Sequence, residues 1–300
     1  MKQIVGVSIG SSKRDHSVNV SLLDTDFQIK RIGTDGSLEK ARQMLKQLDG
    51  KVDAFGLGGI DLYFVADDKK YIVRDAAKLK EVVKETPVVD GSGLKHTLER
   101  QTIKYLTDNN IVELKGKTVL MVAAVDRFGM AESFVEAGST MIFGDLIFGL
   151  GIPIPIRSYK VFKRVAKIVL PIVTKMPFKI LYPTGSSQNK QSNKNQKWFA
   201  KADVISGDYL LIKKYLPAKL DGKSIITNTT TAEDVKELKK RGLKTLITTT
   251  PVFEGRSFGT NVMEATLVAM IGKNADEIKP EDYTEYLKKL DFKPRVENLN

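Results

Sequence analysis

Leu114-Lys115-Gly116-Lys117-Thr118-Val119-Leu120-Met121-Val122-Ala123-Ala124-Val125-Asp126-Arg127-Phe128-Gly129 is the stretch on which the fold turns. From Thr118 to Ala124 it is continuously apolar and rich in β-branched residues, the signature of a strand buried on both faces of a parallel sheet. Helical spacing follows from Met130 to Ala137 and ends at Gly138, and a second strand from Ser139 to Phe143 stops at Gly144-Asp145. Downstream, Ala202 to Ser206, Ser224 to Asn228 and Thr245 to Thr249 read as further strands. Thr231 with Asp234 three residues on caps a helix that runs through Lys240 and is stopped by Gly242. Asn261 to Ile271 is an apolar helix. Alternating strands and helices predict a Rossmann-like doubly wound parallel sheet.

Working back from that stretch, the sequence before it reads as strands with a helix. Gln3 to Ile9 is a short apolar run, broken by Gly10-Ser11-Ser12. Ser17 to Leu23 alternates as a half-buried strand should, Leu38 to Leu48 has helical spacing, and Val52 to Leu57 is another apolar run. Residues 61–65 and 71–74 flank a polar turn as a hairpin would, and Asp75 is placed to cap a helix through Val83. The expectation is an α/β protein in three parts. An N-terminal α/β domain covers 1–105, and the Rossmann-like doubly wound domain covers 106–275 with a basic, apolar insertion at 152–200. A C-terminal helix and tail cover 276–300.

Several chemistries are excluded at once. The chain has 300 residues and no cysteine, so disulfides, thiolate metal sites and cysteine nucleophiles are absent. Its two histidines, His16 and His96, have no ligand partner at helical spacing, so no protein metal site is expected. The N-terminus runs straight into strand-like sequence with no signal-peptide pattern, which gives a cytoplasmic expectation. Net charge is +12. An excess of that size invites an anionic partner, but the lysines are spread along the chain as a solubilising surface. They form no motif with interleaved aromatics, which disfavours nucleic acid.

One segment does concentrate cations beside apolar residues. Tyr159 to Tyr182 mixes Val161, Phe162, Ile168 and Ile172 with Lys160, Lys163, Arg164 and Lys167, and Pro171 and Pro177 prevent one continuous helix. It reads either as core helices whose lysines reach the surface or as an in-plane membrane helix or lid. Peripheral membrane contact through 159–182 thus stays open, as does a homodimer. Gly185 to Lys197 is polar, low in complexity and reads as a loop, after which Trp198 and Phe199 re-enter the core.

The turn after the first buried strand is where a dinucleotide fold places Gly-x-Gly-x-x-Gly, so that backbone can approach a pyrophosphate at the helix N-terminus. Here Ala124 stands for the first glycine, Asp126 for the second, and only Gly129 is retained. A carboxylate at Asp126 repels phosphate, and Arg127 would compensate by turning toward the anion. Asp145 ends the second strand at the spacing of the acid that binds the adenine ribose, which favours NAD over NADP. Asn228 lies on the same edge two strands further on. Two other loops suit an anion. Ser11, Ser12, Lys13 and Arg14 follow the first strand, a pattern that fits a carboxylate or phosphate and equally a solvated turn, and Arg256 follows the strand ending at Thr249.

Asp90-Gly91-Ser92-Gly93-Leu94, Leu98-Glu99-Arg100 and Leu114-Lys115-Gly116-Lys117-Thr118-Val119-Leu120 together resemble the shikimate/quinate dehydrogenase family over the domain junction. The chain as a whole looks like a clostridial group termed quinate 5-dehydrogenase. The resemblance implies that the N-terminal domain holds substrate and that Asp90 is the catalytic aspartate working with a lysine. The family's Asn-Val-Thr-x-Pro-x-Lys segment is absent, which leaves Lys95 as the nearest candidate, with Lys69 and Lys70 as others. The family's early His-Ser-x-Ser is echoed by His16-Ser17 alone. The reading that follows is an NAD(P)-linked oxidoreductase acting on a hydroxylated anionic small molecule. Its alternatives are a non-redox binding or sensor protein on the same scaffold and a membrane-surface enzyme with an apolar substrate.

Overall fold

The computed structural model describes residues 1–66, 69–178, 192–250, 252–253, 256–257 and 259–300, with 252, 253, 256 and 257 described by their backbone. In chain order the strands are β1 (Lys2–Ser8), β2 (His16–Leu22), β3 (Thr25–Gly33), β4 (Ala54–Gly58), β5 (Tyr63–Ala66), β6 (Lys69–Ile72), β7 (Val88–Val89), β8 (Thr118–Met121), β9 (Thr140–Phe143), β10 (Val204–Gly207), β11 (Ser224–Thr227), β12 (Thr245–Thr248), β13 (Val252–Phe253), β14 (Arg256–Ser257) and β15 (Arg295–Asn298). The helices are α1 (Leu38–Leu48), α2 (Arg74–Lys80), α3 (Ser92–Asp108), α4 (Phe128–Glu136), α5 (Tyr159–Val173), α6 (Gln196–Lys201), α7 (Tyr209–Tyr215), α8 (Ala232–Lys240), α9 (Thr260–Ile271) and α10 (Pro280–Lys289). The chain is α/β throughout and forms two compact units. The first comprises Met1–Thr97, Val169–Gln188 and Gly259–Phe292, and the second Leu98–Ile168, Asn189–Phe258 and Lys293–Asn300.

The first unit is built on a five-stranded sheet in the order β2-β3-β1-β4-β7, parallel except for β2. β3 is a strand that local sequence did not declare. Its Phe27 and Ile29 are fully buried, but Gln28, Lys30 and Arg31 between and after them hide the alternation. α9 packs on β1 and β4 and is apolar on every side, the pattern of a helix enclosed by its own unit. Asp75, expected as a cap, lies in the first turn of α2 and accepts the Phe178 N–H at 2.9 Å.

The second unit carries a six-stranded sheet in the order β15-β12-β11-β10-β8-β9, parallel except for β15. β8 is buried on both faces, as its unbroken apolar run requires. Thr231 and Asp234 form a reciprocal capping box at the start of α8. The C-terminal tail supplies the antiparallel edge strand β15, whose polar Arg295-Val296-Glu297-Asn298 carries little strand signal. Pro171 sits inside α5, near its end, and does not interrupt it. The inner face of α5 is held by Phe162, stacked on Phe143 at 4.5 Å and on Phe128 at 4.8 Å between centroids. Trp198 and Phe199 lie in the core of this unit. The expected loop at 185–197 lies outside the described residues up to 191.

Candidate functional site

In parallel α/β sheets ligands meet the carboxyl edge of the strands, and both units place their titratable side chains there. In the first unit β7 delivers Asp90 to that edge, where it is almost completely buried. Its Oδ1 accepts the Ser92 N–H at 3.0 Å, capping α3, and its Oδ2 accepts the Leu62 N–H and the Ser92 hydroxyl, each at 2.6 Å. Lys95, one turn into α3, pairs with Asp61 at 2.8 Å, and the two side chains keep 11% and 16% of their surface exposed.

Beneath this pair lies a carboxylate that the sequence did not single out. Glu264 comes from the middle of α9, where it is the one acid in an apolar helix. Its Oε2 accepts the Gly91 N–H at 2.6 Å and its Oε1 accepts the Tyr283 hydroxyl at 2.7 Å. Burial, reinforced by the charge of Asp90, raises its pKa to about 7, against the hydrogen bonds from Tyr283 and Gly91. Burial also raises the pKa of Asp90, helped by Asp61 and opposed by Lys95 and Ser92. The Tyr63 and Tyr283 hydroxyls are pushed up by burial and by these same acids. Two glycines make the close approach feasible. Gly91 has φ +96°, and a Cβ there would lie 2.8 Å from the Asn261 nitrogen, while a Cβ at Gly93 would overlap Glu264 Oε1.

The loop after β1 adjoins the same edge, with Ile9 N–H bonded to the Gly58 carbonyl at 2.8 Å. Its hydroxyls are engaged internally. Ser11 caps the 3-10 turn Ser12–Arg14 through the Lys13 N–H, and the Ser12 N–H donates to Asp35. Arg31, from the undeclared strand β3, donates to Ser8 Oγ, to the Ser11 carbonyl and to Asp15. Ser12 and Lys13 are exposed, and Arg14 is half-buried. Arg256 lies on β14, and its side chain is outside the described residues.

The nucleotide-type edge of the second unit turns inward. The Asp145 carboxyl is buried, and its Oδ1 accepts the N–H groups of Ala124 and Val125, both at 2.9 Å. Those are donors that a pyrophosphate would need. Burial raises its pKa to about 6, against those two hydrogen bonds. Arg127 is also buried, in contact with Glu99 and within 3.6 Å of Asp126 and 3.9 Å of Asp208. Its charge is already balanced by acids. Asn228 bridges Asp208, at 2.9 Å, and the Tyr209 N–H, and Gly129 lies inside α4. Three carboxylates around one guanidinium, with Asp145 occupying the backbone donors, repel a pyrophosphate, so these residues do not fit a dinucleotide. A groove of about 510 Å³ in this unit lies at the opposite, amino edge of its sheet, between Arg100, Lys104, Lys115 and Glu136.

Fold and edge chemistry define a two-unit parallel α/β protein with an acid-rich carboxyl edge. The chain belongs to the family described as domain of unknown function DUF8754, which matches residues 93–299; residues 3–90 match a second domain of unknown function, DUF8753. No curated protein matches the sequence. Among solved structures, the chain is similar to a sugar ABC transport substrate-binding protein from Bordetella parapertussis 12822, with 12% identity over 91% of this chain and 79% of that one and a TM-score of 0.37. It is also similar to AraP, an arabinose-binding protein from Geobacillus stearothermophilus, with 9% identity over 99% and 97% and a TM-score of 0.43. A galactofuranose-binding protein gives 10% identity over 96% and 98% and a TM-score of 0.37.

These findings correct the dehydrogenase expectation. The matching family models are the two domains of unknown function and not those of shikimate/quinate dehydrogenases. The loop meant for the cofactor is filled by its own side chains. The resemblance over Asp90 to Gly138 was a likeness of strand and turn chemistry. The alternative readings, a non-redox ligand-binding or sensor protein on a Rossmann scaffold and a membrane-surface enzyme with an apolar substrate, are not matched by the family models either.

Proposed function

We propose that the chain binds a small, uncharged, hydroxyl-rich molecule at the carboxyl edge of its first unit. The observation that carries this is the Asp61–Lys95 ion pair, which keeps a small part of its surface exposed at that edge and lies next to buried Asp90. A sugar hydroxyl is at once donor and acceptor, and neighbouring hydroxyls can give a hydrogen bond to Asp61 while taking one from Lys95. Lys95 is already paired with Asp61, so no unbalanced cation is left to hold an anionic ligand, in contrast to the anion expected from sequence. In this reading Asp61 and Lys95 touch the ligand, and Asp90 and Glu264 fix the backbone of Leu62, Gly91 and Ser92 beneath them.

The test is a thermal-shift screen of the full chain against neutral pentoses, hexoses and polyols alongside hydroxy acids. Saturable stabilisation by a neutral compound, lost in Asp61→Asn and in Lys95→Met, is the expected result. Stabilisation by hydroxy acids alone, or equal stabilisation of both variants, would overturn the proposal.

A further inference from the structure

Between Asp145 and Asp203 the sequence has no acidic residue and eleven Lys or Arg, so this one segment contributes +11 to a net charge of +12. The structure arranges part of it as a helix with a mixed outward face. In α5 the exposed positions are Lys160, Val161, Arg164, Lys167, Ile168, Pro171 and Ile172, a single stripe at helical spacing. The opposite face is pinned through Phe162. Val161 is 46%, Ile168 69% and Ile172 65% exposed, and the irregular segment leading in adds Leu150, Ile152 and Ile154 at 47%, 41% and 58%. Four residues separate Ile154 from Tyr159, a span of at most about 18 Å. Large aliphatic side chains among cations, with no acid within the segment itself, are costly to leave in water.

We infer that this surface docks on an anionic lipid bilayer. The helix lies in the headgroup plane, Val161 and Ile168 enter the acyl boundary together with Ile154, and Arg157, Lys160 and Arg164 meet lipid phosphates. Charge selects the occupant. A second copy of the chain would bring the same cations face to face, and a nucleic acid would leave the isoleucines unburied. No helix among the described residues is long and apolar enough to cross a membrane, which makes the contact peripheral. It is a docking surface, distinct from the proposed ligand site and independent of it.

The experiment is co-sedimentation of the full chain with phosphatidylcholine vesicles and with mixed phosphatidylcholine–phosphatidylserine vesicles. Binding to the mixed vesicles alone is expected, weakening as salt rises from about 0.1 to about 0.5 M. Neutralising Arg157, Lys160 and Arg164 together to Gln removes three surface charges and weakens partitioning about a hundredfold, at roughly fivefold per cation. Ile154→Ser with Ile168→Ser weakens it at least about tenfold at unchanged charge. Circular dichroism confirms that both variants, altered only at exposed positions, remain folded. Equal binding to neutral vesicles, no binding to either, or full binding by both variants would each overturn the inference. Retention on an RNA homopolymer but not on vesicles would replace lipid by nucleic acid.

Discussion

Replacing Glu264 by Gln should make the protein more stable at alkaline pH and leave it nearly unchanged in acid. The pKa of Glu264 is raised from its ordinary 4.5 to about 7 by burial and by Asp90. Between those values the unfolded chain has already released this proton while the folded chain keeps it. Stability therefore falls as pH rises through that window and levels off above about pH 7. A carboxyl held from 4.5 to about 7 in this way costs the ionised folded state on the order of 3 kcal/mol. Gln reproduces the protonated acid, since its carbonyl can accept the Gly91 N–H and its amide can donate to the Tyr283 oxygen. Urea unfolding of Glu264→Gln and wild type should thus agree within about 1 kcal/mol near pH 4.5 and diverge toward about 3 kcal/mol near pH 8. Far-UV circular dichroism is the suitable probe, because the single tryptophan, Trp198, belongs to the other unit. Parallel curves for the two proteins across this range, or a variant less stable near pH 8, would refute the reasoning.

Asp145→Asn should behave likewise over a lower window, gaining stability above about pH 6 while retaining its acceptor for Ala124 and Val125, as read by the same titration. Arg127→Met leaves Glu99 buried without its partner and should cost about 3–5 kcal/mol in denaturant unfolding. A Cβ at Gly91 meets both a positive φ and the Asn261 backbone, so Gly91→Ala should cost at least about 1–3 kcal/mol and weaken ligand-induced thermal shifts by disturbing the start of α3. Removing the capping hydroxyl with Thr231→Ala should cost about 1 kcal/mol of stability without affecting ligand binding.

What the sequence disclosed and what it hid divide along the range of the interactions involved. α1 is legible to the residue because one amphipathic face repeats over three turns, and β8 because its burial on both faces leaves an unbroken apolar run. Thr231 and Asp234 announce a helix start because the box closes within four residues. β3 and β15 are set by pairing with distant strands, and their polar outward residues mask the period. The same distinction governs the candidate site. Asp90 and Lys95 stand out as polar residues at a strand end and a helix start. Glu264 becomes visible only when α9 packs against the turn at Gly91, although one acid inside an apolar helix is a signal that could have been read. Arg127 and Asp145 read locally as groups facing a ligand. The Arg127 partners Glu99 and Asp208, 28 and 81 positions away, turn the guanidinium inward, and Asp145 is held by the Ala124 and Val125 N–H groups.

The most direct test of the account is calorimetric titration of the intact chain with a neutral sugar or polyol, repeated on Asp61→Asn. The account predicts saturable binding to the wild-type protein, weakened about tenfold or more when the charged acceptor is lost, since a hydrogen bond to a charged group contributes roughly 1.5–3 kcal/mol. Binding of equal strength to the variant, or no heat with any neutral hydroxylated ligand, would contradict it.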